Sequence, residues 1–271
     1  MYSGSTLTRA SGRVFGAHQK IDRMAKKQLN DLLKDRTQFP GISMILHFEG
    51  CNGPDAIKRK SPARDEPWHY FQPFNNDDTE LLDIIKSHYI RLVESLKQKD
   101  EVRSAFEAAW LSHAIVDGLT PAHHYPYGEK VIELRGGESL ESRVSIKKKI
   151  MMPGSTILDV LTNNWKFWGP KGLFMTHAAF ELGVATIIKP LKYGKRKCNA
   201  GELNFDLNSH NIKHWYRGIA QEVAKMNIYD NFYQKGWTRE LAREVRNQLL
   251  PIIINAVTLT WRAAINEAYV E

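Results

Sequence analysis

Cysteine is almost missing from this chain: Cys51 and Cys198 are the only two among 271 residues. Two cysteines do not make a disulfide framework, so cross-links cannot be what holds the fold. Period-two runs bounded by turn residues are equally scarce, which argues against a fold built on sheet. The best of them, Lys130-Val131-Ile132-Glu133-Leu134, is expected to be a short strand. No Gly/Ser-rich or Pro-rich linker divides the chain, so residues 1–271 are expected to fold as a single domain. The most apolar stretch, Leu249 to Trp261, is interrupted by Asn255 and is too short to span a bilayer, so no transmembrane segment is expected. Residues 1–13 lack the apolar centre of a secretory signal and are expected to be flexible. The default expectation is therefore a cytoplasmic site, with a processed, secreted form as the alternative.

What the chain does have is helical periodicity. Leu81, Leu82, Ile84, Ile85, Tyr89, Leu92, Val93 and Leu96 follow i, i+3, i+4 spacing, and Asp77 with Glu80 three residues on has the pattern of a capping box at the start. Asp100 is placed to open the next helix. A further helix is expected from about Thr238 to Ala268, with a kink at Pro251. The expected fold is all-α, a multi-helix bundle. Basic residues outnumber acidic ones, 38 to 30, for a net charge of +8, with clusters at Lys147-Lys148-Lys149 and from Lys189 to Lys197. Such a face is a solvated surface, or it steers phosphate-bearing partners, either anionic membrane or nucleic acid.

The chemistry is concentrated in Trp110-Leu111-Ser112-His113-Ala114-Ile115-Val116-Asp117-Gly118-Leu119-Thr120-Pro121-Ala122-His123. His113 and Asp117 stand four residues apart, on one face of a helix, within an apolar run. Neither group is stable in hydrocarbon without a partner. Pro121 ends the helix and His123 follows at the turn. By itself the segment is also compatible with a hydrogen-bonded pair that caps the helix. A second His-x3-carboxylate pair, His177 and Glu181, sits in another apolar helical run, and this repetition favours metal ligation.

His18 lies on an amphipathic helix with Val14, Ile21, Met24 and Ala25 on its apolar face, while Asp55 and His69 flank a loop. In order, His18, Asp55, His69, His113, Asp117, His123, His177 and Glu181 resemble the ligand series of the zinc-dependent phospholipase C family. The resemblance covers about residues 14–190. Asp65 competes with Asp55 for the carboxylate position, and Asp55 follows the Gly-Pro pattern better. His47, His88, His124, His210 and His214 lack ligand-type companions at useful spacing and are expected to be surface or internally satisfied histidines.

That resemblance implies a multinuclear zinc cluster in a cleft. Asp55, His69, His113 and Asp117 would hold one zinc, and His123, His177 and Glu181 a second with positions open to water. His18 would share a third with Asp117. The family completes its third zinc with an N-terminal Trp; residues 1–13 contain none, so two zinc ions are expected to be held firmly and a third weakly. The implied activity is phosphodiester hydrolysis by a metal-activated water, with Asp55 also orienting or deprotonating that water. The substrate would be a phospholipid or a related phosphodiester, with transient contact to an anionic membrane surface. The same fold serves single-strand-specific zinc nucleases, whose last ligand pair is His-x3-Asp, so Glu181 favours the phospholipase branch and leaves nucleic acid as the alternative substrate. A non-catalytic helical protein with structural metals is the third reading. The gap from His123 to His177 exceeds that of the phospholipases. Residues 124–176 are therefore an insertion, serving either as a lid or substrate platform or as plain surface elaboration.

Overall fold

A computed structural model describes residues 16–50, 52–55, 70–143, 145–192 and 207–269, and these contain helices and turns but no strand. The expectations for residues 1–13, His69, Asp65, the two cysteines and the cluster Lys195-Arg196-Lys197 lie outside the described residues.

The bundle is organised around one helix that is buried almost all round. Helix α1 (Ala17–Leu32), α2 (Ile42–Glu49) and α3 (Glu80–Lys97) pack against α4 (Glu101–Gly118). Helix α4 tolerates so many neighbours because its inward positions are small: Ala105, Ala108, Ala109 and Ser112 let other backbones approach closely. Asp100 caps it, its side chain accepting from Arg103 N at 2.9 Å, as the sequence suggests. Gly118 ends it at a close approach, since a Cβ there would lie 2.2 Å from Tyr216 Oη and 2.3 Å from Leu81 Cδ2. The buried faces of α1 (Ala17, Ile21, Ala25, Leu29) and of α9 (Ile212, Tyr216, Ala220, Val223, below) repeat at helical spacing and are removed from water.

A short 3-10 turn (Pro121–His124) follows α4. Residues 124–176 then fold into α5 (Tyr127–Leu134), α6 (Ile146–Ile150) and α7 (Ile157–Trp168), with a small core of Val131, Met152 and Phe167. The strand expected at Lys130–Leu134 is thus helix. Five residues satisfy either period, and the helix is supported by Lys130 Nζ donating to Glu133 Oε2 at 2.8 Å, a pair that only helical spacing brings together. The capping box expected at Asp77 is not formed. Thr79 occupies the cap position without a side-chain hydrogen bond, and Asp78 instead accepts from the Gln72 amide at 2.8 Å.

Helix α8 (Leu173–Ile188) returns to the main bundle, followed by α9 (Ile212–Lys225) and α10 (Ile228–Lys235). The chain closes with α11 (Arg239–Glu244), a π-turn (Val245–Leu249) and α12 (Leu250–Tyr269), one continuous rod over Arg239–Tyr269. The expected irregularity at Pro251 appears as that π-turn. Proline has no N–H to offer the carbonyl four residues back, and Leu250 N instead reaches back five residues to Val245 O. The apolar stretch expected to be too short to span a bilayer is part of a helix long and apolar enough to do so, yet 67% of its apolar window is buried within the bundle, as in a core helix.

Candidate metal centre

Four elements converge at the C-terminal end of α4. Helix α1 supplies His18, α4 supplies His113 and Asp117, the end of α2 supplies Glu49, and the turn after it supplies Asp55. The imidazoles of His18 and His113 stack with centroids 4.2 Å apart and planes 12° apart. Asp117 meets both: Oδ1 lies 3.1 Å from His18 Nε2, and Oδ2 lies 3.1 Å from His113 Nε2. From behind, Glu49 Oε1 lies 3.0 Å from His113 Nδ1 and 3.5 Å from His18 Nδ1. Each ring therefore turns Nε2 toward Asp117 and Nδ1 toward Glu49, the orientation a metal-ligating histidine takes when a second carboxylate fixes its tautomer. Asp55 Oδ1 stands 3.9 Å from His113 Nε2. Its turn depends on Gly53, where a Cβ would come within 2.2 Å of Glu49 O, so the backbone folds back onto the end of α2.

A second group begins six residues beyond Asp117, at His123. Glu181 Oε1 lies 2.8 Å from His123 Nε2 and 3.1 Å from His177 Nε2, and the two rings are 5.1 Å apart. Tyr70 stacks on His123 at 5.1 Å and on Tyr127 at 5.3 Å, and Tyr127 in turn lies 5.4 Å from His177. The Phe71 amide donates to His123 O at 3.0 Å, which holds the Tyr70 segment against the 3-10 turn.

The electrostatics of the first group call for positive charge. Asp22, Glu49 and Asp117 are all buried with His18 and His113. Burial and the neighbouring Glu49 raise Asp22 well above the usual carboxylate range, and it accepts a hydrogen bond from Ser112 Oγ. Burial also opposes charging His113, but Glu49 and Asp117 outweigh it and raise the imidazole well above its ordinary value. Burial opposes ionising Asp117, yet interaction with the surrounding imidazoles, His113 ahead of His123 and His18, holds it well below. In the second group, Glu181 is likewise pushed up by burial but held well below its ordinary value by its positive surroundings, including His177 and hydrogen bonds from both histidines. Burial lowers His123 and favours its neutral, ligand-competent form.

The donor set fits a metal. The ligand atoms of His18, His113 and Asp117 lie within 4.8 Å of one another, and so do those of His123, His177 and Glu181. The imidazole-to-carboxylate spacings quoted above resemble the ~3.3 Å separating ligands placed ~2.0–2.1 Å from a tetrahedral zinc. All donors are nitrogen or oxygen, a set suited to zinc and other borderline cations.

Of the eight residues singled out from sequence, seven are described. His18 joins His113 and Asp117, His123 joins His177 and Glu181, and Asp55 sits at the edge of the first group. The remaining histidines lie apart. His88 Nδ1 contacts the buried Glu107, His124 Nε2 bonds Gly118 O, His47 Nε2 pairs with Asn52 Nδ2, and His210 and His214 are exposed. Glu49 is the residue that spacing misses. Its one trace in sequence is a carboxylate four residues after Ile45 on the buried face of a short apolar helix. Comparison with protein-family models and with curated proteins returns no match, leaving these side chains as the basis for a functional reading.

Proposed function

We propose that the chain is a zinc-dependent phosphodiester hydrolase of the phospholipase C type. The observation that carries this reading is the pair of adjacent His/carboxylate groups, in which four imidazole Nε2 atoms converge on two carboxylates within 2.8–3.1 Å. When bound, zinc supplies Lewis acidity and makes hydroxide available near pH ~7, and paired cations can clamp both oxygens of an in-line displacement. His18, His113 and Asp117 would hold one ion, and His123, His177 and Glu181 another. Glu49 keeps His18 and His113 turned toward the first ion. Asp55, largely buried beside His113, would orient the attacking water or take its proton. Tyr70 and Tyr127 wall the second group with aromatic surface, and burial raises the Tyr70 hydroxyl well above its ordinary range, so it stays a neutral hydrogen-bond donor. A phospholipid is the favoured substrate over nucleic acid, because the second pair ends in Glu181 rather than Asp.

The test combines metal content with substrate choice. Protein purified without chelator should carry at least two zinc ions per chain, and should hydrolyse phosphatidylcholine faster than single-stranded DNA in side-by-side assays. A protein that loads no metal, or that turns over fully after metal removal, overturns the hydrolase reading; faster turnover of DNA shifts it to a nuclease. One observation favours structural metals for the first group alone: its donors are nearly closed to solvent, with side-chain exposures of 1–3%.

A further inference from the structure

Helix α7 is built the opposite way from the other helices described here. Its large apolar side chains face water: Ile157, Leu158, Leu161 and Trp165 are 82%, 72%, 64% and 69% exposed. Their spacing of i, i+1, i+4 and i+8 puts them on one face. This helix is held firmly. A reciprocal capping box joins Thr156 and Asp159 at its start. Asn164 bonds both the amide and the carbonyl of Met152, and Trp168 Nε1 donates to Ile150 O at 2.7 Å. A fixed helix that presents its apolar face outward marks an interaction surface.

Exposed lysines flank that face in sequence, and Lys166 also lies near Glu133. Lys147 and Lys148 on α6, Lys166 on α7 and Lys171 just after it are exposed. The carboxylate on α7, Asp159, is engaged in the cap. A second copy of the chain docking by two-fold symmetry would bring these lysines toward one another, which disfavours self-association. An anionic bilayer satisfies both halves of the surface. Its acyl boundary takes the apolar side chains, its headgroups take the lysines, and tryptophans such as Trp165 and Trp168 sit well at the level between.

We propose that the outward face of α7, with its flanking lysines, docks the protein peripherally on an anionic membrane surface. The face continues to the second metal group. Trp168 packs on Phe174 at the start of α8, ring centres 4.7 Å apart, and His177 follows within one turn. Docking would therefore place His123, His177 and Glu181 beside the lipid headgroups. The inference rests on exposure and charge and does not require the hydrolase reading.

The experiment is vesicle binding without turnover, using phosphatidylcholine vesicles with and without phosphatidylglycerol. Wild type should bind the anionic vesicles with a blue shift in tryptophan fluorescence, and should lose binding at high salt. Leu161→Glu with Trp165→Glu should weaken binding by roughly tenfold or more, with the thermal midpoint unchanged because both sites are exposed. Lys147→Gln with Lys148→Gln should weaken it by roughly 25-fold, about fivefold per lysine. His177→Ala should bind like wild type, so loss of metal chemistry is distinguishable from loss of docking. No binding by wild type, equal binding by the apolar double variant, or a wild-type dimer that the same variant splits would each overturn the proposal.

Discussion

The two His/carboxylate groups use the same donor chemistry in different surroundings. The first sits in the middle of the bundle and is backed by Glu49. The second stands at the junction of the bundle and the insertion, where His177 and Glu181 keep 13% and 15% of their side chains exposed. Its walls are the rings of Tyr70 and Tyr127 in place of a second carboxylate. The first is thus the more closed of the two and the second the more open to solvent. One set of residue types serves both because burial, not ligand identity, sets the division.

The comparison breaks most completely at Asp117, which faces both imidazoles of the first group and feels His123 of the second. Asp117→Asn nearly preserves shape but removes the shared negative charge. We expect metal loss and a fall in turnover of several orders of magnitude, read by metal analysis and kinetics together. Next come His18→Ala and His177→Ala, which should separate the groups. Truncating the fully buried His18 leaves a cavity and takes away one of the two imidazoles facing Asp117, so it should cost roughly 2–4 kcal/mol of stability along with the first metal. His177→Ala should remove the second metal and the activity while costing less than about 1 kcal/mol. Equal thermal losses in the two variants would show that the division drawn here is wrong. The sequence-based expectation of a weakly held metal at His18 pointed the other way; the stacked pair with His113 is what changes it.

Glu49→Gln tests what stands behind the first group. Its shape is kept, but one orienting charge is lost, and metal affinity should fall roughly 10–100-fold by chelator competition. The smallest effect lies outside both groups. Burial lowers Lys26 to about 8, with Arg36 adding to the shift. Because its folded pKa is depressed, the unfolded chain holds the extra proton between pH ~8 and ~10.5, and stability should rise with pH across that window. Lys26→Met should stabilise by roughly 1–2 kcal/mol at pH 7, since the contact of Nζ with Phe39 O offsets part of the burial cost, and the gain should fade toward pH ~10.5. Urea midpoints at several pH values measure it.

Much of this was legible before any coordinates. Asp100 and Thr238 announce their helices because a side-chain oxygen before an apolar periodic run has one good use, and both do accept from the amide three residues on. His113 with Asp117, and His177 with Glu181, were readable because four-residue spacing fixes their relation whatever surrounds them. Glu49 was not, since its partners lie 31 residues before it and 64 after, and only tertiary packing joins them. The segment Lys130–Leu134 suggests a strand in sequence because five residues are too few to separate the two periods. The outward face of α7 was hidden for a related reason. Periodicity reveals an apolar stripe but not whether that stripe meets a neighbour.

The insertion leaves the bundle and returns to the place it left. The rings of Tyr127 and His177 lie 5.4 Å apart although fifty residues separate them. Closing a loop costs entropy only as the logarithm of its length. With a small core of its own, the excursion adds little burden to folding the bundle, which has most of its contacts elsewhere. It should therefore be replaceable by a short linker from Tyr125 to Leu173 with both His/carboxylate groups still assembled.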